Sequence, residues 1–463
     1  MKKYFGDRAF YRMLLCLVLP IIAQQGITNF VNLLDNVMVG KLGTEPMSGV
    51  AIVNQLMFVF NLSLFGAMAG AGIFGAQFCG KGDDDGVRQC FRFKLLCVLF
   101  LVVTASAVLF FGREHLIGLY LKDEGEQVGD IAMAYRYAEQ YLFMVLPVMR
   151  PTGIAQMYAS TLKEHGKTLP GMLAGLIAVA VNLLGNYLLI FGTSVIPALG
   201  VRGAALATVL ARLVEMTILI VYTHSHAVAF PFIKGAYRTL RIRAELFGSL
   251  LRTGLPLLCN EFFWSTAVTT LAQCYATRGL IAVAAYNITS TANNLFLICG
   301  LSMGEATGLI CGRLLGAGER EAARDSNRKL LMSSLLMNLI FMIIILLIAP
   351  TIPRMYNTQE SVRLLATRML RVAACCIPVQ AVSNACYFTL RCGGKTWVTF
   401  LFDSVFMWCV TVVVVWLLSR HTAMGALLLF GAAQLLELIK VFIGLAFVKS
   451  GTWMNVLVKD DPA

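Results

Sequence analysis

The sequence has 463 residues, of which 58% are hydrophobic and only 14% charged, whereas soluble domains run at about 45–50% apolar and about 25% charged. That excess excludes a soluble globular protein. A net charge of +13 would suggest nucleic-acid binding in a soluble chain, but here the basic residues lie in short stretches between apolar blocks, so nucleic acid is not expected as a partner.

The apolar residues gather into blocks of about 20, the length a helix needs to cross the hydrocarbon core. In chain order they predict twelve helices, at 13–38, 50–77, 93–111, 131–158, 169–191 and 198–222, then 248–276, 281–312, 329–350, 364–390, 397–418 and 421–448. No small-residue cleavage site closes a short apolar stretch near the start, so the first helix is expected to stay in the mature protein. Basic residues alternate along the connections. Lys2, Lys3, Arg8 and Arg12 precede the first helix; Lys81, Arg88, Arg92 and Lys94 lie in the second connection, and Lys163 and Lys167 in the fourth. Lys234, Arg238, Arg241 and Arg243 follow in the middle, Arg313, Arg320, Arg324, Arg328 and Lys329 in the eighth connection, and Arg391 and Lys395 in the tenth, whereas the third is the acidic stretch 123–130. By the positive-inside rule both termini are cytoplasmic. The 13 cysteines fall nearly all within spans and read as small buried hydrophobes rather than a disulfide framework.

The chain repeats itself at half its length. A shift of 236 pairs Pro20 with Pro256, Gly43 with Gly279, Gly72 with Gly308, Gly80 with Gly316, and Arg88 with Arg324; a shift of 228 pairs Thr161-Leu162-Lys163 with Thr389-Leu390-Arg391 and Gly166-Lys167-Thr168 with Gly394-Lys395-Thr396. Six spans per half is an even number, so the halves run in the same direction, related by an axis along the membrane normal. The expected fold is an all-α integral membrane protein, twelve helices in two parallel six-helix lobes: an N-lobe at 1–223, a cytoplasmic linker at 224–247 and a C-lobe at 248–463. Such lobes rocking about a midplane site is the physical basis of alternating access, so the repeat points to a transporter.

Four stretches carry a family resemblance: LPIIAQQGITNFVNLLDNVMVGKLG in the first helix, the end of the second helix AGAGIFGAQFCGKGDDDGVR with its repeat GEATGLICGRLLGAGEREAAR, IPALGVRGAALAT at 196–208, and LRCGGKT after the tenth helix. Together they resemble the multidrug and toxic-compound extrusion (MATE) family along essentially the whole chain. The resemblance implies a secondary antiporter, not an enzyme, that exports bulky organic cations in exchange for H+ or Na+. It implies a multi-pass protein of a bacterial inner membrane, monomeric, in contact with lipid and needing no cofactor. No phosphate-binding G-x-x-x-x-G-K-[ST] sequence argues otherwise.

An ionisable residue inside a membrane is a functional candidate by default. Asp35 is the first, with Asn32 three residues before it on the same helix face; it matches the family's first-helix aspartate and suits either a proton or sodium. The family pattern N-x-x-x-D in helix five reads here as Asn182 and Asn186, which offer neutral oxygens but cannot titrate. In the second half Glu261 of helix seven and Asp403 of helix eleven are the cation-coupling candidates, although either could equally form a structural pair. Glu215 with Arg212 and Glu437 with Lys440 have the spacing of local ion pairs. For a cavity holding bulky cations, Phe58, Met68, Phe262, Trp264 and Met303 supply aromatic faces and adaptable thioethers. Pro147 and Pro378 are candidate bend points. The alternative reading is a lipid-linked oligosaccharide flippase of the same superfamily, for which Arg150, Arg212 and Arg371 would have to hold a pyrophosphate.

Overall fold

The computed structural model describes residues 4–118, 131–193, 197–356 and 358–458, without the side chains of residues 30–33, 36, 37 and 44. Lys2, Lys3, the acidic stretch 123–130 and the Asn32 side chain lie outside the described residues. Among these residues every regular element is helical. The first half holds α1 (Arg8–Gly40), α2 (Thr44–Lys81), α3 (Asp84–Phe111), the short α4 (Arg113–Gly118), α5 (Ile131–Val145), α6 (Met149–Glu164), α7 (Leu169–Phe191) and α8 (Val201–Ser225). The second holds α9 (Ala244–Ala276), α10 (Leu280–Gly316), α11 (Arg320–Ile348), α12 (Glu360–Cys392), α13 (Thr396–Phe400), α14 (Val413–His421) and α15 (Ala426–Lys449), with π-helical stretches Leu401–Val405 and Met407–Val412 carrying α13 into α14.

Each of the twelve expected spans coincides with a helix, the fourth being divided by the 3-10 turn Leu146–Val148. Pro147 causes that division, because its ring lacks the N–H that a continuing α-helix requires. Pro20, Pro256 and Pro378 by contrast sit inside α1, α9 and α12. Among the described residues nine helices are long and apolar enough to cross a membrane by length and composition alone; α5 and α6 are each too short by themselves, and α9 and α12 are more polar.

The chain divides into two compact units. One comprises Met1–Ile22, Ile73–Asp83 and Gly248–Ala463; the other comprises Ala23–Gly72 and Asp84–Phe247. In the first, α10 packs along α12, which also contacts α11 and α15. Here the last two turns of α2 cross the last two turns of α10 with backbone on backbone. A Cβ at Gly80 would lie 1.9 Å from the Arg313 carbonyl oxygen, and one at Gly316 would lie 1.9 Å from the Gln77 carbonyl oxygen. These are images of each other under the shift of 236. Between them a Cβ at Gly312 would lie 3.3 Å from that of Ala76, its own partner in the repeat. The crossing itself is therefore symmetric with respect to the repeat. Small residues at four-residue spacing allow such close approach. Gln77 also clamps the chain after α15: its Nε2 donates to the carbonyls of Cys392 at 2.9 Å and Asn455 at 3.1 Å, and its Oε1 accepts from the Leu457 N–H at 2.7 Å.

In the second unit α7 packs on α8, and α6 lies between α8 and α3. The segment between α8 and α9 is strapped to α3. Arg92 donates to the carbonyls of Gly235 and Ala236, both at 2.9 Å, and of Arg241 at 3.1 Å, while Arg88 donates to that of Phe232 at 3.1 Å. Phe232, Ile233 and Ala236 are buried beneath. The basic residues here therefore satisfy orphan carbonyls, a role in addition to any part in orientation.

Replacing Gly80 or Gly316 by Ala forces backbone apart and is expected to cost about 1–3 kcal/mol, the usual scale for overpacking. Gly431→Ala, where a Cβ meets nothing within 4 Å, serves as the control. Thermal melting of the purified variants in detergent checks this, with only the first two expected to melt earlier.

Candidate functional site

Two polar clusters form, one in each unit. The first is built by α1, α7 and α8. The run from Gly203 to Ala207 on α8 lets α7 come close: a Cβ at Gly203 would lie 2.3 Å from the Leu189 carbonyl oxygen, and one at Gly185 would lie 2.9 Å from the Ala207 Cβ. That is the physical content of the G-A-A-L-A-T stretch. With α7 so fixed, Asn182 and Asn186, one turn apart, face Asp35. Asn186 Nδ2 donates to Asp35 Oδ1 at 2.5 Å. The Asn182 amide, assigned with its nitrogen toward Asp35, donates to Asp35 Oδ1 at 2.8 Å and Oδ2 at 3.1 Å and presents its oxygen to the Thr208 hydroxyl 3.4 Å away; the opposite assignment accepts from Asn186 Nδ2 at 3.3 Å instead. The Asn186 oxygen is buried and has no partner among the described residues. Arg212 exerts a coulombic pull on Asp35, but its guanidinium is held by Glu215 at 2.7 Å. Tyr141, buried on α5, feels the Asp35 charge and bonds Asn54 at 3.4 Å.

The second cluster joins α9, the π-helical stretch and α15. Asp403 Oδ1 is ion-paired with Lys440 Nζ, and Asp403 Oδ2 accepts from Asn260 Nδ2 at 3.0 Å. Lys440 also reaches Glu437 at 3.5 Å. Ser404 Oγ lies 2.7 Å from Asn260 Oδ1, and Tyr387 lies 3.3 Å from its nitrogen. Glu261 is near enough to feel the charges of Arg391 and Asp403, so Glu261 and Asp403 share one electrostatic neighbourhood, while the direct partners of Asp403 are Lys440 and Asn260. Sequence spacing could not reveal these two, since Lys440 lies 37 positions and Asn260 143 positions from Asp403.

A third charged pair was hidden in the sequence. Lys94, grouped above with the basic residues of a connection, is fully buried and ion-paired with Glu164, itself buried. Lys94 also donates to Ser160 and Thr161, both at 3.1 Å. The repeat shifts carry Lys94 onto Leu330 and Glu164 onto Cys392, which share one apolar cluster in the other unit. Of the residues expected to meet a bulky cation, Phe58, Phe262 and Trp264 are exposed, whereas Met68 and Met303 are buried in helix packing. Arg150 and Arg371 are exposed. Asp85, in the acidic turn at 83–85, is spent on Arg88 at 2.7 Å and Gln89 at 2.8 Å.

The MatE family model matches the chain twice, over residues 20–188 and 257–417. The chain belongs to the MatE family. The two matches restate the internal repeat, and the chain is a multi-pass membrane transporter rather than an enzyme. It is 24% identical over 445 residues, 95% of this chain and 92% of the relative, to a probable multidrug resistance protein NorM from Thermotoga maritima. It is 28% identical over 379 residues, 81% of this chain and 79% of the relative, to the multidrug resistance protein MdtK from Klebsiella pneumoniae. Among solved structures it resembles a MATE transporter mutant from Vibrio cholerae, with a TM-score of 0.84 at 17% identity over 96% of this chain and 97% of that one. A MOP superfamily transporter from Pyrococcus furiosus gives a TM-score of 0.83 at 18% identity, covering 97% of both chains. These two likenesses establish the twelve-helix MATE fold.

Breaking the buried Lys94–Glu164 pair by Lys94→Leu leaves an uncompensated carboxylate and is expected to cost about 3–5 kcal/mol. Adding Glu164→Cys, which copies the other half of the molecule, should recover most of that loss. Melting temperatures of the single and double variants test the pair as a cycle.

Proposed function

We propose that the protein exports organic cations and drugs from a bacterial cytoplasm across the inner membrane by alternating access, driven by inward-moving protons, with Asp35 as the carboxylate that loads and releases the proton. The observation that carries the reading is the set of donors around Asp35. The Asn186 amide N–H points at Asp35 Oδ1, and the Asn182 amide, assigned from its hydrogen bonding, turns a second N–H to the same carboxylate, which is the arrangement an ionised carboxylate calls for. Sodium would instead require those amides to offer oxygen. Protonation turns the carboxyl from a pure acceptor into a donor. The unpartnered Asn186 oxygen then becomes its natural acceptor, so a rotation of one amide reports the proton to α7.

In this reading the halves 1–223 and 248–463 are the moving lobes, joined by the cytoplasmic segment 224–247, and the monomer is the working unit with both termini in the cytoplasm. Exposed Phe58, Phe262 and Trp264 offer aromatic faces for cationic substrates, and Glu261 supplies negative charge in the second half, where Asp403 is ion-paired with Lys440. Drug export is supported by the relatives, which are named as multidrug resistance proteins.

The test is ethidium efflux from proteoliposomes with a proton gradient and a sodium gradient imposed separately. The proton gradient alone should drive efflux. Asp35→Asn should lower it to the rate of empty liposomes while the protein still elutes as a single species; normal efflux from that variant removes Asp35 from the mechanism, and efflux driven by sodium alone overturns the choice of ion.

A further inference from the structure

The charged cluster of the second half differs from the first in one respect: a cation of the chain is in direct contact with its central carboxylate. Lys440 carries a side chain only 8% exposed, facing Asp403 at 16% and Glu437 at 14%. Its ammonium bonds Asp403 Oδ1, lies 3.5 Å from Glu437 Oε2 and stands 5.6 Å from the centre of the Phe402 ring. Two carboxylate oxygens and a ring face thus surround one positive charge, an environment that suits a desolvated cation.

The rest of the cluster is turned away from binding a second one. The other oxygen of Asp403 accepts from the Asn260 amide nitrogen at 3.0 Å. That orientation is set by the Asp403 carboxylate, which can only accept, while the Ser404 hydroxyl lies 2.7 Å from the amide oxygen and 2.9 Å from the Asn260 backbone carbonyl. Asn260 therefore offers Asp403 a donor, where an alkali ion would need an oxygen. Asp403 and Ser404 lie within the π-helical stretch Leu401–Val405, from which Asp403 meets both α9 and α15 and Ser404 meets α9; π-helical insertions recur at functional sites.

We propose that Lys440 is a tethered cation occupying the place of an alkali ion between Asp403 and Glu437, and that it excludes sodium from the second half of this transporter. The inference goes beyond the export reading and is tested without transport. An intramembrane lysine with named acidic partners has a functional role by default, and here the role is ion selectivity: a charge that cannot dissociate fills the space between the two carboxylates and balances one of them.

The experiment measures binding of radioactive sodium to the full-length purified protein, with choline chloride keeping ionic strength constant. An Asp35→Asn background removes any contribution from the first cluster. With Lys440 intact no saturable sodium binding is expected. Adding Lys440→Ala should create a saturable site, raising bound sodium at least tenfold, and Asp403→Asn should abolish it again; Lys440→Arg, which keeps the charge, should gain none. Because ligand that binds only the folded state stabilises it, sodium should also raise the melting temperature of Lys440→Ala and leave that of the parent unchanged. Should Lys440→Ala fail to yield a single species, Lys440→Gln, which removes the charge and keeps a polar side chain and both carboxylates, takes its place. A folded variant that gains no sodium, a gain that survives Asp403→Asn, or Asp403-dependent sodium binding with Lys440 in place overturns the proposal. Failure of proton-driven efflux in liposomes would leave this result standing, and the reverse holds equally.

Discussion

Taking an ionised group out of water costs several kcal/mol even after the surroundings relax, and this cost governs where charges stand in the chain. Asp35 is met by two amides from α7, Asp403 by an ammonium and an amide from α15 and α9, and Glu164 by Lys94 across α6 and α3. In each case the answering group comes from a different helix. The charges therefore specify which helices pack together, in a setting where apolar side chains are as content against lipid as against one another. The three arrangements differ in kind: neutral donors leave Asp35 able to accept a proton, whereas a fixed cation leaves Asp403 already neutralised.

The repeat shows how the same backbone carries both. Under the two shifts Asn260 and Asp403 correspond to Gln24 and Gly175, and these too are in contact, a Cβ at Gly175 lying 3.6 Å from Gln24. Asp35 corresponds to Leu271, which is buried in an apolar cluster. The geometry has been kept in both halves while the chemistry has been placed at a different position in each. Lys94 and Glu164 against Leu330 and Cys392 repeat the pattern.

The twelve spans were legible because hydrocarbon thickness imposes one length on every crossing helix, and the repeat because glycines at close approaches cannot be exchanged without moving backbone. Asp35, Asn182 and Asn186 were named as candidates, the aspartate by its cost in a membrane and its match to the family's first helix, the two asparagines because they stand where the family's N-x-x-x-D pattern falls. Spacing also identified the Arg212–Glu215 and Glu437–Lys440 pairs, since both partners lie on one helix. What sequence did not disclose was pairing across helices. Lys94 read as a loop residue because it stands at the edge of an apolar block, and only packing places it beside Glu164, 70 positions later. The Lys440–Asp403 pair was missed for the same reason: a lysine near an acid three residues away was already accounted for.

The crossing of α2 and α10 bears on the origin of the chain. Where Ala76 meets Gly312, each residue faces the position that matches its own under the shift of 236. In a half-length ancestor working as a parallel pair, that position would have faced itself across an isologous contact, where any change is made twice at the same point in space. A large side chain would collide with its own copy, so only the smallest residues are admissible there. Fusion of two copies into one gene lifts that restriction, because the two sides can then change separately. Alanine on one side and glycine on the other is what a contact looks like after it has begun to use that freedom.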